Sequence, residues 1–512
     1  MGLSASKDFD EEMKDQSQTT ETQSAAPENK LEVEEAGKKR LNELGEKPIG
    51  RLLLQYALPA ITAMAASSLY NIIDGIFIGQ GVVPEAIMGL ALTGTLMALG
   101  AAFGAMVGVG GATLMSVRLG QKDYRTAQDI LGNVLFMNVV MGLGLGVSLQ
   151  VFLTPILRFF GASDVTIGPA HDFMTVILCG NVVTHLYLGM NALLRSTNRP
   201  RQAMLSTIGT VVANCLLAPL FIFVFHWGIR GAAAATVCAQ FLMLCRQFYL
   251  FTDTTNIIHF RFERPNISLR IIFKALTIGL PQFLINFCAC LVAIIITRSM
   301  TLYGAETGAG GDVAVGSYGI ANRLILFAVM LVIGLNQGMQ PIAGFNYGAK
   351  RYDRLIEVLK KAGLFATVIS VASFCIFFFF ATPLATLFAK GSPQLIEAAA
   401  HGLRIMTFTF PLVGIQIITT AFLQSIGQTG KSIFLSLTRQ LLFLVPLLFL
   451  LPRLFDNPVD GVWYAMPVAD TMAFLIAIVL QVLQVKKFKR ILAEKTITDR
   501  KSTRLNSSHS AK

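Results

Sequence analysis

At 512 residues the chain is long enough for several soluble domains, yet 54% of it is hydrophobic and only 14% is charged, against roughly 25% charged in an ordinary soluble domain. It cannot clothe a water-facing surface of that size, so a soluble protein is excluded and an all-α polytopic membrane protein is indicated. The formal net charge of +12 does not mark a nucleic-acid surface, because the Lys and Arg residues fall in short clusters between hydrophobic runs.

Residues 1–47 hold twelve acidic side chains and a single aromatic, Phe9. Such a segment buries too little apolar surface to fold alone, and it reads as a disordered acidic cytoplasmic tail. With no apolar run behind a basic start, it does not read as a secretory signal. Hydrophobic runs then predict twelve spans, over about 52–79, 86–116, 128–157, 167–194, 202–225, 229–251, 271–300, 313–343, 356–387, 396–423, 432–451 and 461–485. In the second span Gly100, Gly104 and Gly108 recur every four residues, a small-residue face that lets a neighbouring helix approach. The spans divide into an N-terminal six-helix lobe (48–251), a charged cytoplasmic linker (252–270) and a C-terminal six-helix lobe (271–490). A tail over 491–512 ends in residues that read as translated adapter or vector sequence.

Loop charge fixes an expected orientation. Lys38, Lys39, Arg40 and Lys47 precede the first span; Arg118, Lys122 and Arg125 follow the second; Arg195, Arg199 and Arg201 follow the fourth. Arg246, Arg261 and Arg264 follow the sixth, Lys350, Arg351 and Arg354 the eighth, and Lys486, Lys487, Lys489 and Arg490 the twelfth. The intervening loops carry one or two each. Cytoplasmic loops hold the Lys/Arg excess, so both termini are expected in the cytoplasm of a bacterial inner-membrane protein.

The two halves are related in sequence. Gly120, Lys122 and Tyr124 meet Gly348, Lys350 and Tyr352 at an offset of 228. Leu58-Pro59 meets Leu280-Pro281 at 222, and Ala170-His171 and Gly231 meet Ala400-His401 and Gly461 at 230. A duplicated unit of six spans returns to its starting side, so the repeat is parallel and the lobes are related by an axis along the membrane normal. Transporters place substrate and ion sites around such interfaces.

Two carboxylates lie deep within spans, Asp74 in the first and Asp470 in the twelfth. An Asp at a helix centre costs roughly 2.5–3.5 kcal/mol, and such residues face a cavity or a partner. Burial disfavours the charged form, so a carboxyl there is suited to exchanging a proton for another cation. Tyr70, Asn71 and Asp74 put a phenol, an amide and a carboxyl on one helix face, which makes Asp74 the principal candidate for ion coupling. Asp470, one turn after Pro467, reads equally as a second ion site or as a group bonded to the backbone that the proline frees. Asn191, Asn214, Gln282 and Asn286 are further candidates for a substrate or ion cavity, with Asn336, Gln337 and Gln340 as buried amides of the eighth span. The 37 Phe and 19 Met suit a promiscuous apolar pocket that repacks around different ligands. Cys288 and Cys290 lie two apart and point away from each other, the histidines have no metal spacing, and no nucleophile has a partnered base, so no metal, cofactor or enzymatic activity is expected.

Leu58-Pro59, the run Ser68-Leu69-Tyr70-Asn71-Ile72-Ile73-Asp74 with Ile78-Gly79, Arg118-Leu119-Gly120-Gln121, Asn191-Ala192-Leu193-Leu194-Arg195-Ser196 and Gly461-Val462-Trp463-Tyr464-Ala465 together carry a family pattern. Over about residues 48–490 the chain resembles the multidrug and toxic compound extrusion (MATE) family, in its bacterial MepA-like and DinF-like branch. The resemblance implies export of small drug-like compounds, organic cations or amphiphiles, in exchange for H⁺ or Na⁺, by a monomer in the lipid bilayer. It also implies that the acid of the Leu-Tyr-Asn-x-x-Asp pattern, here Asp74, couples the ion. One departure stands out. DinF-like relatives often carry Asn-x-x-x-Asp-Pro in the fifth helix, whereas this chain has Asn214-Cys-Leu-Leu-Ala218-Pro219, keeping the amide without the acid. The alternative is a lipid-linked saccharide flippase of a related branch, which would need arginines such as Arg298, Arg323 or Arg439 turned inward to hold a pyrophosphate.

Overall fold

The computed structural model describes residues 43–81, 84–159, 163–260, 266–306, 310–389 and 392–509, except for the side chains of 71–92 and 499–509. No strand occurs among the described residues. The first half comprises α1 (Ile49–Gly81), α2 (Pro84–Gly120), α3 (Tyr124–Val151), the short α4 (Leu153–Phe159), α5 (Ile167–Cys179), α6 (Asn181–Ser196), α7 (Pro200–Pro219) and α8 (Gly228–Thr252). The second half comprises α9 (Leu269–Glu306), α10 (Gly311–Gly348), α11 (Tyr352–Phe379), the short α12 (Ala381–Phe388), α13 (Pro393–Thr407), α14 (Phe410–Ser425), α15 (Thr429–Leu437), α16 (Val445–Leu450) and α17 (Pro458–His509). A π-helical turn, Leu220–Val224, extends α7, and a second, Thr438–Leu444, joins α15 to α16. By length and composition, 10 of these runs can cross a bilayer, and two bent pairs bring the total to 12. The fold is two six-helix lobes related by a parallel repeat.

The expected fourth and tenth spans are not continuous helices. They are the pairs α5/α6 and α13/α14, bent by 54° and 53°. In the first lobe the break falls at Gly180, where an added Cβ would meet the Val237 side chain at 2.5 Å, so α8 packs directly onto the bend. In the second lobe Pro411 follows the break and offers no N–H to the carbonyl four residues back, which ends the preceding hydrogen-bond ladder. The twelfth span also differs from expectation. Its helix continues through the region read as a tail and reaches His509. Of the N-terminal tail, 1–42 lies outside the described residues.

The pseudo-two-fold relation is visible in the packing between lobes. An added Cβ at Gly120 would run into the Phe345 carbonyl, and one at Gly348 into the Val117 carbonyl. These are the same contact seen from each lobe at the offset of 228. Likewise Gly110 of α2 lies on Ala275 and Gly279 of α9, as Gly338 of α10 lies on Ala57 of α1. Lys122 and Lys350, at equivalent turns, both take left-handed backbone angles, with φ 61 and 55. The glycine face of α2 packs inside its own lobe, where an added Cβ would meet His185 at 3.2 Å from Gly104 and Gly189 at 3.1 Å from Gly108, both on α6.

These close approaches lie in the half of the bundle nearest the linker. There one apolar core is shared by both lobes and includes Leu53, Leu114, Leu193, Ile278, Met339 and Ile342. Towards the opposite end each lobe has a core of its own, around Phe173 and Ile222 in the first and around Leu403 and Trp463 in the second. Two segments strap the linker side. Ahead of α1, the Leu44 carbonyl accepts from Asn346 Nδ2 (3.1 Å) and Arg354 Nη2 (3.2 Å), and the Lys47 carbonyl accepts from the same Nη2 (2.6 Å). Ahead of α9, Asn133 of the first lobe donates to the Asn266 carbonyl (2.9 Å) and accepts from the Ser268 N–H (2.9 Å). Each lobe thus holds the segment that leads into the other.

Candidate functional site

The polar face of α1 begins at Tyr70, which is half-buried. Asn214 of α7 is buried and donates from Nδ2 to the Tyr70 hydroxyl (2.7 Å) and to Thr236 Oγ1 of α8 (3.0 Å). One amide therefore ties three helices together. Its carbonyl, Asn214 Oδ1, is buried with no hydrogen-bond partner among the described residues. An amide oxygen left bare in a bilayer interior is costly unless a cation, a donor or a water completes it. Asp74 and Asn71 stand on the same helix, Asp74 one turn beyond Tyr70, but both side chains lie outside the described residues.

Asn191 sits elsewhere and is fully engaged. Its Nδ2 donates to the Ala203 carbonyl (3.1 Å) and to Thr207 Oγ1 (3.3 Å), and its Oδ1 accepts from Arg195 Nη1. Arg195, which the sequence suggests as a loop charge, belongs to the last turn of α6. It lines a narrow pocket between the lobes with Thr113 and Ser116 of α2 and Gln337 and Gln340 of α10. Gln282 and Asn286 lie on α9, where Asn286 Nδ2 donates to the Gln282 carbonyl of its own helix (2.9 Å). Beside them the Phe283 ring packs against Phe103 of α2, with centroids 4.5 Å apart and planes tilted by 44°. No hydrogen bond among the described residues links this pair to the Tyr70–Asn214 group.

Asp470 has a partner that neither sequence reading named. Arg439 Nε donates to its Oδ1 at 2.6 Å, from the π-helical turn between α15 and α16. The Asp470 side chain is 9% exposed and that of Arg439 32%. A signal for this pair was present in the sequence: a lone Arg within one apolar run and a lone Asp within another are best stabilised by each other. No cluster of metal-ligating side chains occurs among the described residues.

Comparison with known proteins adds to this geometry. The MatE family model matches residues 59–220 and again 289–450, two copies displaced by the offset of 230 that relates His171 to His401. The chain is 24% identical over 432 residues to the multidrug export protein MepA of Staphylococcus haemolyticus, covering 84% of this chain and 93% of that protein. To MepA of Staphylococcus aureus it is 23% identical, covering 85% and 94%. Among solved structures, an outward-facing multidrug resistance MATE family transporter of the MOP superfamily superposes with a TM-score of 0.82 at 21% identity, covering 89% of this chain and 99% of that one. A MATE structure in the straight conformation gives 0.81 at 22% identity.

Proposed function

The chain belongs to the MatE family, and from that premise we propose that it is a secondary active multidrug efflux transporter. It exchanges H⁺ or Na⁺ for organic cationic or amphipathic compounds by alternating access. The observation that carries this reading is the Asn214–Tyr70 pair. It leaves an amide oxygen with no partner among the described residues, in the first lobe beside the helix that carries Asp74. A carboxylate with an amide carbonyl and a phenol is a donor set that holds a proton or a small hard cation equally well. Filling that site neutralises Asp74, and emptying it restores a charge that favours a cationic substrate. A core shared by the lobes on the linker side and divided at the other end supports a state open away from the linker. With both termini in the cytoplasm of a bacterial inner membrane, that state faces outward, and the monomer suffices for the cycle.

The flippase alternative is weakened at one of its three arginines. Arg439 is bound to Asp470, so it is not spare for a pyrophosphate. The deciding experiment is ethidium efflux from proteoliposomes carrying wild type or Asp74→Asn, under proton and sodium gradients imposed separately. Efflux driven by one gradient and lost in the variant names the ion and its site. Equal gradient-driven efflux in Asp74→Asn refutes coupling through Asp74.

A further inference from the structure

A cavity of about 540 Å³ lies in the second lobe between α11, α13 and α17, beside the break at Phe408 and Thr409. Its walls include Phe378, Phe408, Tyr464, Val468 and Met472, and its one charged side chain is Arg404. On α17 the exposed apolar residues Tyr464, Val468, Met472, Leu475, Val479 and Leu483 form one continuous stripe at helical spacing. The stripe runs into the linker-side half, where the lobes share a core, so it is an outer surface facing lipid and not the interface between lobes. Exposed Leu364, Val368, Val371 and Phe379 make the corresponding face of α11. The cavity is therefore a groove in the lipid-facing surface, between two lipid-facing helices and bordered by the exposed Phe408 at the bend.

Arg404 gives the groove a chemistry. It lies level with the end of α11, donating from Nε to the Phe378 carbonyl (3.4 Å) and from Nη2 to Thr382 Oγ1 (3.3 Å). It meets no carboxylate among the described residues. Asp460, at the same end of α17, accepts instead from His401 Nε2 (2.9 Å) and Asn457 Nδ2 (3.2 Å). A cation at the head of an apolar groove, at the depth where a span ends, has the polarity of an anionic amphiphile in reverse.

The duplication supplies an internal control. At the offset of 230, Met174 stands in the first lobe where Arg404 stands in the second. Met174 is 1% exposed, and the bend beside it at Gly180 is filled by Val237. The repeat therefore does not require a groove at this place. Among the described residues, the groove of the second lobe is headed by a positive charge where the first lobe has Met174.

We propose that this groove binds an anionic phospholipid of the surrounding bilayer, its phosphate on Arg404 and one acyl chain laid along Tyr464, Val468 and Met472. The proposal is independent of the transport reading. It is tested on the full chain carrying Trp227→Phe, which leaves Trp463, next to Tyr464, as the one tryptophan. The protein is reconstituted in phosphatidylcholine containing a small fraction of brominated phosphatidylglycerol, and Trp463 quenching is compared with that from brominated phosphatidylcholine. A preference for the anionic lipid of about fivefold is expected from one cation near the surface. It should fall to about onefold in Arg404→Gln and be largely retained in Arg404→Lys, which controls for folding. Quenching that follows mole fraction without preference overturns the proposal, as does a preference that survives Arg404→Gln. Relief of quenching by tetraphenylphosphonium assigns the groove to the exported cation and also overturns it.

Discussion

The pair Arg439–Asp470 gives the sharpest test of how the second lobe is held together, because its two members do not fail alike. A carboxylate stranded in a span can take up a proton and become neutral, whereas a guanidinium keeps its charge. Asp470→Asn preserves shape and a hydrogen-bond acceptor but leaves Arg439 uncompensated. Breaking a buried pair costs about 3–5 kcal/mol. Since the Arg439 side chain is 32% exposed, the lower end, about 3 kcal/mol, is expected. That is roughly a hundredfold in the folded-to-unfolded ratio. Arg439→Met should cost less, about 1–2 kcal/mol, because an apolar interior can carry a carboxyl in neutral form but not a guanidinium, and Met fills part of the volume. The double variant should lie closer to wild type than Asp470→Asn alone. Fluorescence-detected size-exclusion after a heating series measures folded fraction, and efflux per folded molecule separates stability from transport. A result in which Arg439→Met is the more damaging single change, or Asp470→Asn is as stable as wild type, refutes the reasoning. Loss of efflux per folded molecule in Asp470→Asn, at unchanged stability, would make Asp470 a coupling site instead.

Three other outcomes follow from contacts already described. Tyr70→Phe removes the hydroxyl that accepts from Asn214 (2.7 Å), at a cost of about 0.5–1.5 kcal/mol; the concentration of coupling ion giving half-maximal efflux should rise by up to about tenfold, and an unchanged value would remove Tyr70 from the ion site. Gly348→Leu drives a side chain into the Val117 carbonyl, so spin labels on the linker side should report a larger mean distance between lobes, and an unaltered distribution would show that the interface yields elsewhere. Arg354→Ala deletes the donor to the Leu44 and Lys47 carbonyls; charged hydrogen bonds contribute about 1.5–3 kcal/mol, so amide exchange over 43–47 should quicken by about tenfold or more, and unchanged protection would show that the strap does not depend on Arg354.

Much of the fold was legible because bilayer physics writes it plainly. Each span is a run of apolar residues, and the duplication survives at turns such as Lys122 and Lys350, where backbone geometry restricts the choice of residue. The bends were not legible. Gly180 lies in an unbroken apolar run, and nothing local shows that Val237 packs against it; the break comes from tertiary contact. Nor did local pattern reveal that Arg195 lines an interface between lobes, since a basic residue at the end of a span reads as a loop charge by default. At the candidate site the sequence singled out Tyr70 and Asn214, and the structure brings them together. It also offered Asn191, whose hydrogen bonds are spent on packing α6 against α7. An amide's role depends on what its second atom meets, and spacing along one helix carries no such information.

What the two lobes share and what they do not divides scaffold from chemistry. The glycine contacts across the interface, the bent fourth and tenth spans, and the straps ahead of α1 and α9 all occur twice. The two acids deep within spans do not. At the offset of 222, Asp74 corresponds to Ile296, buried at 2% exposure. At 230, Asp470 corresponds to Gln240, whose Oε1 accepts from Thr184 Oγ1 at 2.6 Å. A duplicated frame in which each lobe has kept a different buried acid can rock symmetrically while binding asymmetrically. If the acid of the first lobe exchanges ions and that of the second is locked by Arg439, the cycle has one coupling site per chain. Transport stoichiometry then offers a direct check: one H⁺ or Na⁺ per monovalent substrate cation is electroneutral, and efflux should not respond to membrane potential. Potential-driven efflux would require a second coupled charge, and Asp470, released from Arg439 during the cycle, would be the first place to look for it.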